Sequence, residues 1–246
     1  MSISHQQKRD TPGTTPWNYD VSCDWGKLDP SYIACRNGTQ QSPINLTHKA
    51  ALSKKNQPNF AYKNKPTTGI LSNWGYGPSF TLSPPGGDYS KLPKITFGTE
   101  EAFLIGWHIH TPAEHTIDGS RSRAEMHLVH VTRHGIPRSV VGIFIDPGKA
   151  ESKFVAGFQK HLRGVKDTTT VTVELNMAQV VPEAAASKEF WAYEGSLTSP
   201  PCSEGVRWFV AREVLLVSTE QMQRLLGVGA CSARVEQQVW EHFSKV

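Results

Sequence analysis

The sequence predicts a mostly β fold of the α+β class, as one domain covering 17–246 with short helices at its periphery. Three observations predict it. Five stretches carry strand patterns, most clearly the period of two over 103–110. Helical patterns are fewer and short. The 246 residues include 20 Gly and 16 Pro, so the chain turns often, and no linker or repeat divides it.

In chain order, residues 1–16 are polar, carry Pro12, Gly13 and Pro16, and read as a loosely attached arm. Phe103, Ile105, Trp107 and Ile109 alternate with Leu104, Gly106, His108 and His110 in a strand. After a polar turn at Asp118-Gly119-Ser120, residues 125–131 form a second strand. Residues 139–145 form a third, stopped by Asp146-Pro147-Gly148, and 169–175 and 206–211 look similar. Phe154, Phe158 and Leu162 lie at helical spacing within 151–162, ahead of Gly164. Ser218-Thr-Glu-Gln221 is a capping box for a helix ending at Gly227. Val235, Val239 and Phe243 mark an amphipathic helix over 232–243.

Composition narrows the function classes. A formal net charge of +4, evenly spread, argues against a nucleic-acid or membrane-surface partner. The longest apolar run, Val140 to Ile145 broken by Gly142, is far short of the roughly 18 residues of a membrane span. The first ten residues show no apolar core of a secretory signal.

Histidines carry the chemistry. On a strand, residues two apart share a face, so His108 and His110 point together. Glu125, His127 and Val129 share a face of the next strand. If the two strands pair, three imidazoles converge and leave a fourth ligand position open, which is the pattern of a catalytic zinc site. Glu125 is placed to accept the other ring N–H of His127 and so fix its tautomer. His130, on the opposite face, and His115 read as structural histidines. The loop Tyr193-Glu-Gly-Ser-Leu-Thr-Ser-Pro-Pro-Cys202 is stiffened by Gly and paired Pro and presents the hydroxyls of Thr198 and Ser199.

Four motifs together resemble the α-class carbonic anhydrases, and secreted bacterial and fungal-type members in particular. They are Gln41-Ser-Pro-Ile-Asn-Leu46, Trp107-His-Ile-His-Thr-Pro-Ala-Glu-His115, Ala124-Glu-Met-His-Leu-Val-His130 and Gly195-Ser-Leu-Thr-Ser-Pro-Pro201, in family order. The resemblance implies a central, mainly antiparallel twisted sheet of about ten strands. It implies Zn2+ as cofactor, held by His108, His110 and His127, and reversible hydration of carbon dioxide to bicarbonate and a proton. The attacking zinc hydroxide is oriented by Thr198, whose hydroxyl donates to Glu114. Val129, Val140, Leu197, Val206 and Trp208 match the apolar substrate wall, with Ser199 beside the water chain. Glu125, His115, Tyr193 and Tyr19 fall around the ligands. Tyr76 stands where fast members carry a proton-shuttling His; a phenol holds its proton too tightly at neutral pH to replace an imidazole there. His5, in the arm, has no sequence feature supporting it as a substitute.

The sequence also departs from the family. Gly106 replaces a Gln that accepts from the first ligand His. The C-terminal Asn-x-Arg-Pro-x-Gln stretch, which supports the second ligand, is not recognisable after Gly227. Cys35 and Cys202 match a disulfide of secreted members, whereas Cys23 and Cys231 are either a second pair or free thiols. Asn37-Gly-Thr39 and Asn45-Leu-Thr47 fit the glycosylation triplet, which with the disulfide favours an extracytoplasmic setting. The expected partner is the small-molecule substrate alone, acting on a monomer or homodimer. The rival reading is a catalytically impaired binding module.

Overall fold

The computed structural model describes residues 16–48, 57–186, 188–240 and 242. Residues 1–15 of the expected arm, His5 among them, lie outside the described residues. Thirteen strands run in chain order: β1 (Asn45–Leu46), β2 (Asn59–Ala61), β3 (Thr67–Asn73), β4 (Pro78–Thr81), β5 (Lys94–Phe97), β6 (Glu100–His110), β7 (Thr116–Ile117), β8 (Ala124–Val131), β9 (Pro137–Gly148), β10 (Val171–Leu175), β11 (Phe190–Ser196), β12 (Glu204–Ala211) and β13 (Leu215–Ser218). Eleven of them form one sheet, whose main path is β10-β3-β4-β6-β8-β9-β12-β11. The sheet is mixed rather than purely antiparallel, because β12 and β13 each run parallel to β9.

Every residue of β8 is buried, because both faces of the central strands are covered. Met126 and Leu128 join Trp107, Ile109, Val141 and Ile143 in the larger core. The opposite face carries Glu125 and His127, next to a smaller core containing Val140, Leu197, Val206 and Trp208. A third cluster gathers the N-terminal aromatics Trp17, Tyr19 and Trp25 with Trp74 and the Cys35–Cys202 disulfide.

The helix over Thr219–Gly227 forms with its capping box, the Ser218 side chain meeting the Gln221 backbone and the Gln221 side chain meeting Ser218. Two helical expectations are corrected. The stretch 151–162 holds only a short helix, Lys153–Ala156, and one 3-10 turn, Gln159–His161, because Phe158, after the Gly157 cap, leaves helical geometry (φ −128°). Its spacing still buries Phe154 and Phe158.

Residues 232–240 form no helix. Val235 and Val239 are 51% and 47% exposed, so the apolar stripe finds no core. Tertiary hydrogen bonds hold the backbone extended instead: Ser232 N–H donates to the Thr111 carbonyl (3.0 Å) and Gln237 N–H to the Pro43 carbonyl (2.8 Å). This strap threads back into the fold and supplies the support expected to be missing. Arg234 and Gln237 stand at the Arg and Gln of the family pattern, with Ser232 in place of its Asn and Val235 in place of its Pro.

Candidate active site

The site is built on β6 and β8. Their register pairs His108 with His127 and His110 with Glu125, so these four side chains project from one face. The ligand-capable nitrogens of His108, His110 and His127 lie within 4.8 Å of one another, and all three residues are buried. His108 Nε2 lies 2.9 Å from His110 Nε2. His110 Nδ1–H donates to the Ser232 carbonyl (2.8 Å), which leaves Nε2 to face the site as a lone pair. His127 Nε2–H donates to Glu125 Oε1 (3.0 Å), which leaves its Nδ1 facing the site. Burial lowers His110 to about 4 and His127 below its usual value, so both are neutral donors at pH 7.

Glu125 organises this support. Its Oε2 accepts the backbone N–H groups of Glu114 (2.9 Å) and His115 (2.8 Å), and its Oε1 takes His115 Nδ1 (2.7 Å) as well as His127. Burial pushes this carboxyl up, but the facing His115 and His127 hold it well below the usual carboxylate range. His115, Glu125 and His127 also lie together as a metal-capable group, but their facing atoms are already spent on one another. Beyond His115, the Tyr193 hydroxyl lies 2.7 Å from Nε2 and 2.9 Å from Ser42 Oγ.

Glu114 is fully buried. The Arg234 backbone N–H donates to its Oε1 (2.9 Å). Its Oε2 lacks a hydrogen-bond partner at contact distance and faces His110 Nε2 at 3.5 Å and His127 Nδ1 at 3.9 Å. Burial raises Glu114 to about 7, while His127, the Thr198 hydroxyl and the Arg234 N–H favour its charged form. Two lone-pair nitrogens and an orphaned carboxylate oxygen therefore face one buried space. That space suits a small cation and a polar donor. Three imidazoles with no fourth protein ligand among the described residues fit zinc in an open site.

Thr198 and Ser199 are both buried, on a tight loop. Leu197 N–H donates to the Ser203 carbonyl (3.0 Å) and Cys202 N–H to that of Ser199 (2.9 Å). The Cys35–Cys202 disulfide, with Cα atoms 5.0 Å apart, ties the loop to the N-terminal region. Val140, Leu197, Val206 and Trp208 share one cluster, Val129 sits opposite Val140 in register, and the Trp208 ring lies 4.9 Å from that of His127. Tyr19 meets His110 edge-on at 6.2 Å. Tyr76 is half-buried against Tyr19 (4.8 Å) and Trp17 (6.4 Å).

No Gln side chain fits at Gly106: its φ is +146° and a Cβ would lie 2.0 Å from the Phe80 carbonyl. His130 is buried and meets the Tyr62 hydroxyl at 2.6 Å. Asn45 Oδ1 accepts from Thr116 Oγ1 (2.8 Å) and Gly119 N–H (3.0 Å), so that glycosylation triplet is built into the fold. Cys23 and Cys231 are free and exposed. The Ser232 carbonyl and Arg234 N–H were missed, because they are backbone groups reached only through long-range threading. The Arg and Gln spacing of the strap was the available signal.

Comparison with known proteins places this geometry. The eukaryotic-type carbonic anhydrase family model matches residues 21–241. The chain is 31% identical over 229 residues to alpha carbonic anhydrase 4 of Arabidopsis thaliana, covering 91% of this chain and 81% of that protein. It resembles the solved Photobacterium profundum alpha-carbonic anhydrase with a TM-score of 0.76 at 28% identity, covering 92% and 98% of the two chains. It also resembles the Thermovibrio ammonificans alpha-carbonic anhydrase, solved in complex with the inhibitor sulfanilamide, with a TM-score of 0.75 at 26% identity over 94% and 98%.

Proposed function

This chain belongs to the eukaryotic-type carbonic anhydrase family, and on that premise we propose that it is a zinc enzyme in which Thr198 and Glu114 orient the reacting groups for carbon dioxide hydration. The observation that carries this reading is the buried triad of His108, His110 and His127, with no fourth side chain closing it among the described residues. Zinc held there supplies a Lewis acid that brings the pKa of bound water to about 7, a value general to carbonic anhydrases rather than specific to this chain.

The chain's own residues do the rest. Glu125 and the Ser232 carbonyl hold the ligand rings in one tautomer and orientation. Glu114 accepts the Thr198 hydroxyl proton in a hydrogen bond, so the Thr198 oxygen must itself accept from a donor placed in the site. That requirement turns the donor's remaining lone pair towards the substrate. The Thr198 backbone N–H is free to take an oxygen of carbon dioxide or of an anion. Val129, Val140, Leu197, Val206 and Trp208 hold the unpolarised substrate, and Ser199 meets the water beside it. Tyr76 occupies the shuttle position as a phenol, so proton release to buffer limits turnover. The intact triad with Glu114 and Thr198 opposes a binding-only module. The disulfide fits an oxidising compartment, and we place the protein outside the cytoplasm.

Stopped-flow carbon dioxide hydration tests the reading. Turnover abolished by an aromatic sulfonamide is expected. Zinc-loaded protein with no turnover above buffer contradicts it.

A further inference from the structure

We propose that Trp74 is a positioning residue, which holds His108 and His110 in the orientation that binds the metal. The proposal rests on the zinc reading above and adds a residue that the motif comparison does not supply. The Trp74 ring meets His108 at 5.4 Å and His110 at 5.2 Å, edge-on to both, with interplanar angles of 70° and 65°. Its Nε1–H donates to the carbonyl of Ile109, the residue between them (3.3 Å). One indole thus touches two ligand rings and the backbone that joins them. Such edge-to-face contacts favour one ring orientation, and a buried side chain of this size leaves little room for another rotamer.

The β3–β4 turn is built to deliver this ring. Trp74 N–H donates to the Gly77 carbonyl (3.0 Å), and Gly75, at φ +93°, donates its N–H to Asn73 Oδ1 (2.8 Å). A Cβ on Gly77 would lie 2.4 Å from the Ile109 carbonyl, so only glycine lets the turn close on β6. Asn73 Nδ2 donates to the carbonyls of Arg163 and Val228 (2.8 Å each), and the Tyr76 carbonyl accepts from Ala230 N–H (2.7 Å). The turn is therefore anchored in part on 228–230, the segment that leads into the strap supporting His110. Behind the indole, Tyr76 (5.1 Å) and Tyr19 (6.1 Å) close the outer side. Gly106 offers no side chain on β6, so packing by Trp74 takes over part of what a hydrogen-bonding side chain would do.

The test compares the parent with Trp74→Leu and Trp74→Phe. Each apoprotein is prepared by chelator dialysis, checked for folding by near-ultraviolet circular dichroism, and titrated with zinc against a chromophoric chelator. Trp74→Leu is expected to weaken zinc binding by about 10- to 100-fold and to alter the visible spectrum of the cobalt-substituted protein, while Trp74→Phe restores most of the affinity. A Trp74→Leu protein that binds zinc as tightly as a zinc-binding parent overturns this proposal alone. A parent that binds no zinc overturns the underlying reading and this proposal with it. Should the leucine variant fail to fold, nuclear magnetic resonance of the parent and Trp74→Phe holoproteins decides. The ring protons of His108 and His110 are expected to shift between the two while those of His127 stay, and unchanged His108 and His110 resonances overturn the proposal.

Discussion

At the residue scale, hydroxyl and imidazole placement decides the chemistry. Thr198→Ala removes the hydroxyl to which the proposal gives the orienting role and leaves the three histidines in place. It is expected to keep its zinc and lose about 100-fold in kcat/KM, measured by stopped-flow hydration with metal analysis. Tyr76→His places an imidazole at the shuttle position and is expected to raise kcat at high carbon dioxide with little change in kcat/KM; an unchanged kcat means the proton leaves by another route. His130 lies away from the ligands, and burial lowers it to about 3. Its folded pKa is below the unfolded value, so the stability it contributes is fully present above about pH 6.5 and is lost as pH falls towards 3. The loss is on the order of a few kcal/mol. Melting temperature is therefore expected to fall over this range more steeply in the parent than in His130→Gln.

At the element scale, the strands hold what the motifs promise. Gly106 shows how: β6 bulges between Leu104 and Gly106, where the Phe80 carbonyl of β4 presses against the glycine. Restoring the family's Gln by Gly106→Gln is expected to cost at least about 2 kcal/mol rather than tighten zinc binding, read as a lower melting temperature. Both ligand strands were legible in the sequence, because alternation of period two places His108, His110 and His127 on a face independently of distant contacts. The strap over 232–240 was not. Its Val235 and Val239 spacing mimics a helix, but hydrogen bonds to Thr111 and Pro43, far away in sequence, outweigh that local preference. Trp74 was not legible as a site residue, since nothing local says which strand an indole will cover.

At the scale of the whole molecule, the segment 22–35, the strap over 232–240 and the loop of Thr198 are tied together around the site. The disulfide spans 167 residues, and Arg234 bridges to it by donating to the Cys35 carbonyl (3.0 Å) while its own N–H holds Glu114. Replacing both bridging cysteines with Ser is expected to lower stability by up to about 5 kcal/mol by the chain-entropy estimate, seen in denaturant unfolding. The Ser232 carbonyl supports His110 although Ser stands in place of the family's Asn, because that support comes from the backbone and not from the side chain. The most direct test of this account is the zinc content of purified holoprotein, measured for the parent and for His127→Ala. One zinc per chain in the parent and none in the variant is the predicted result. A parent that carries no zinc, or a variant that keeps it, contradicts the account.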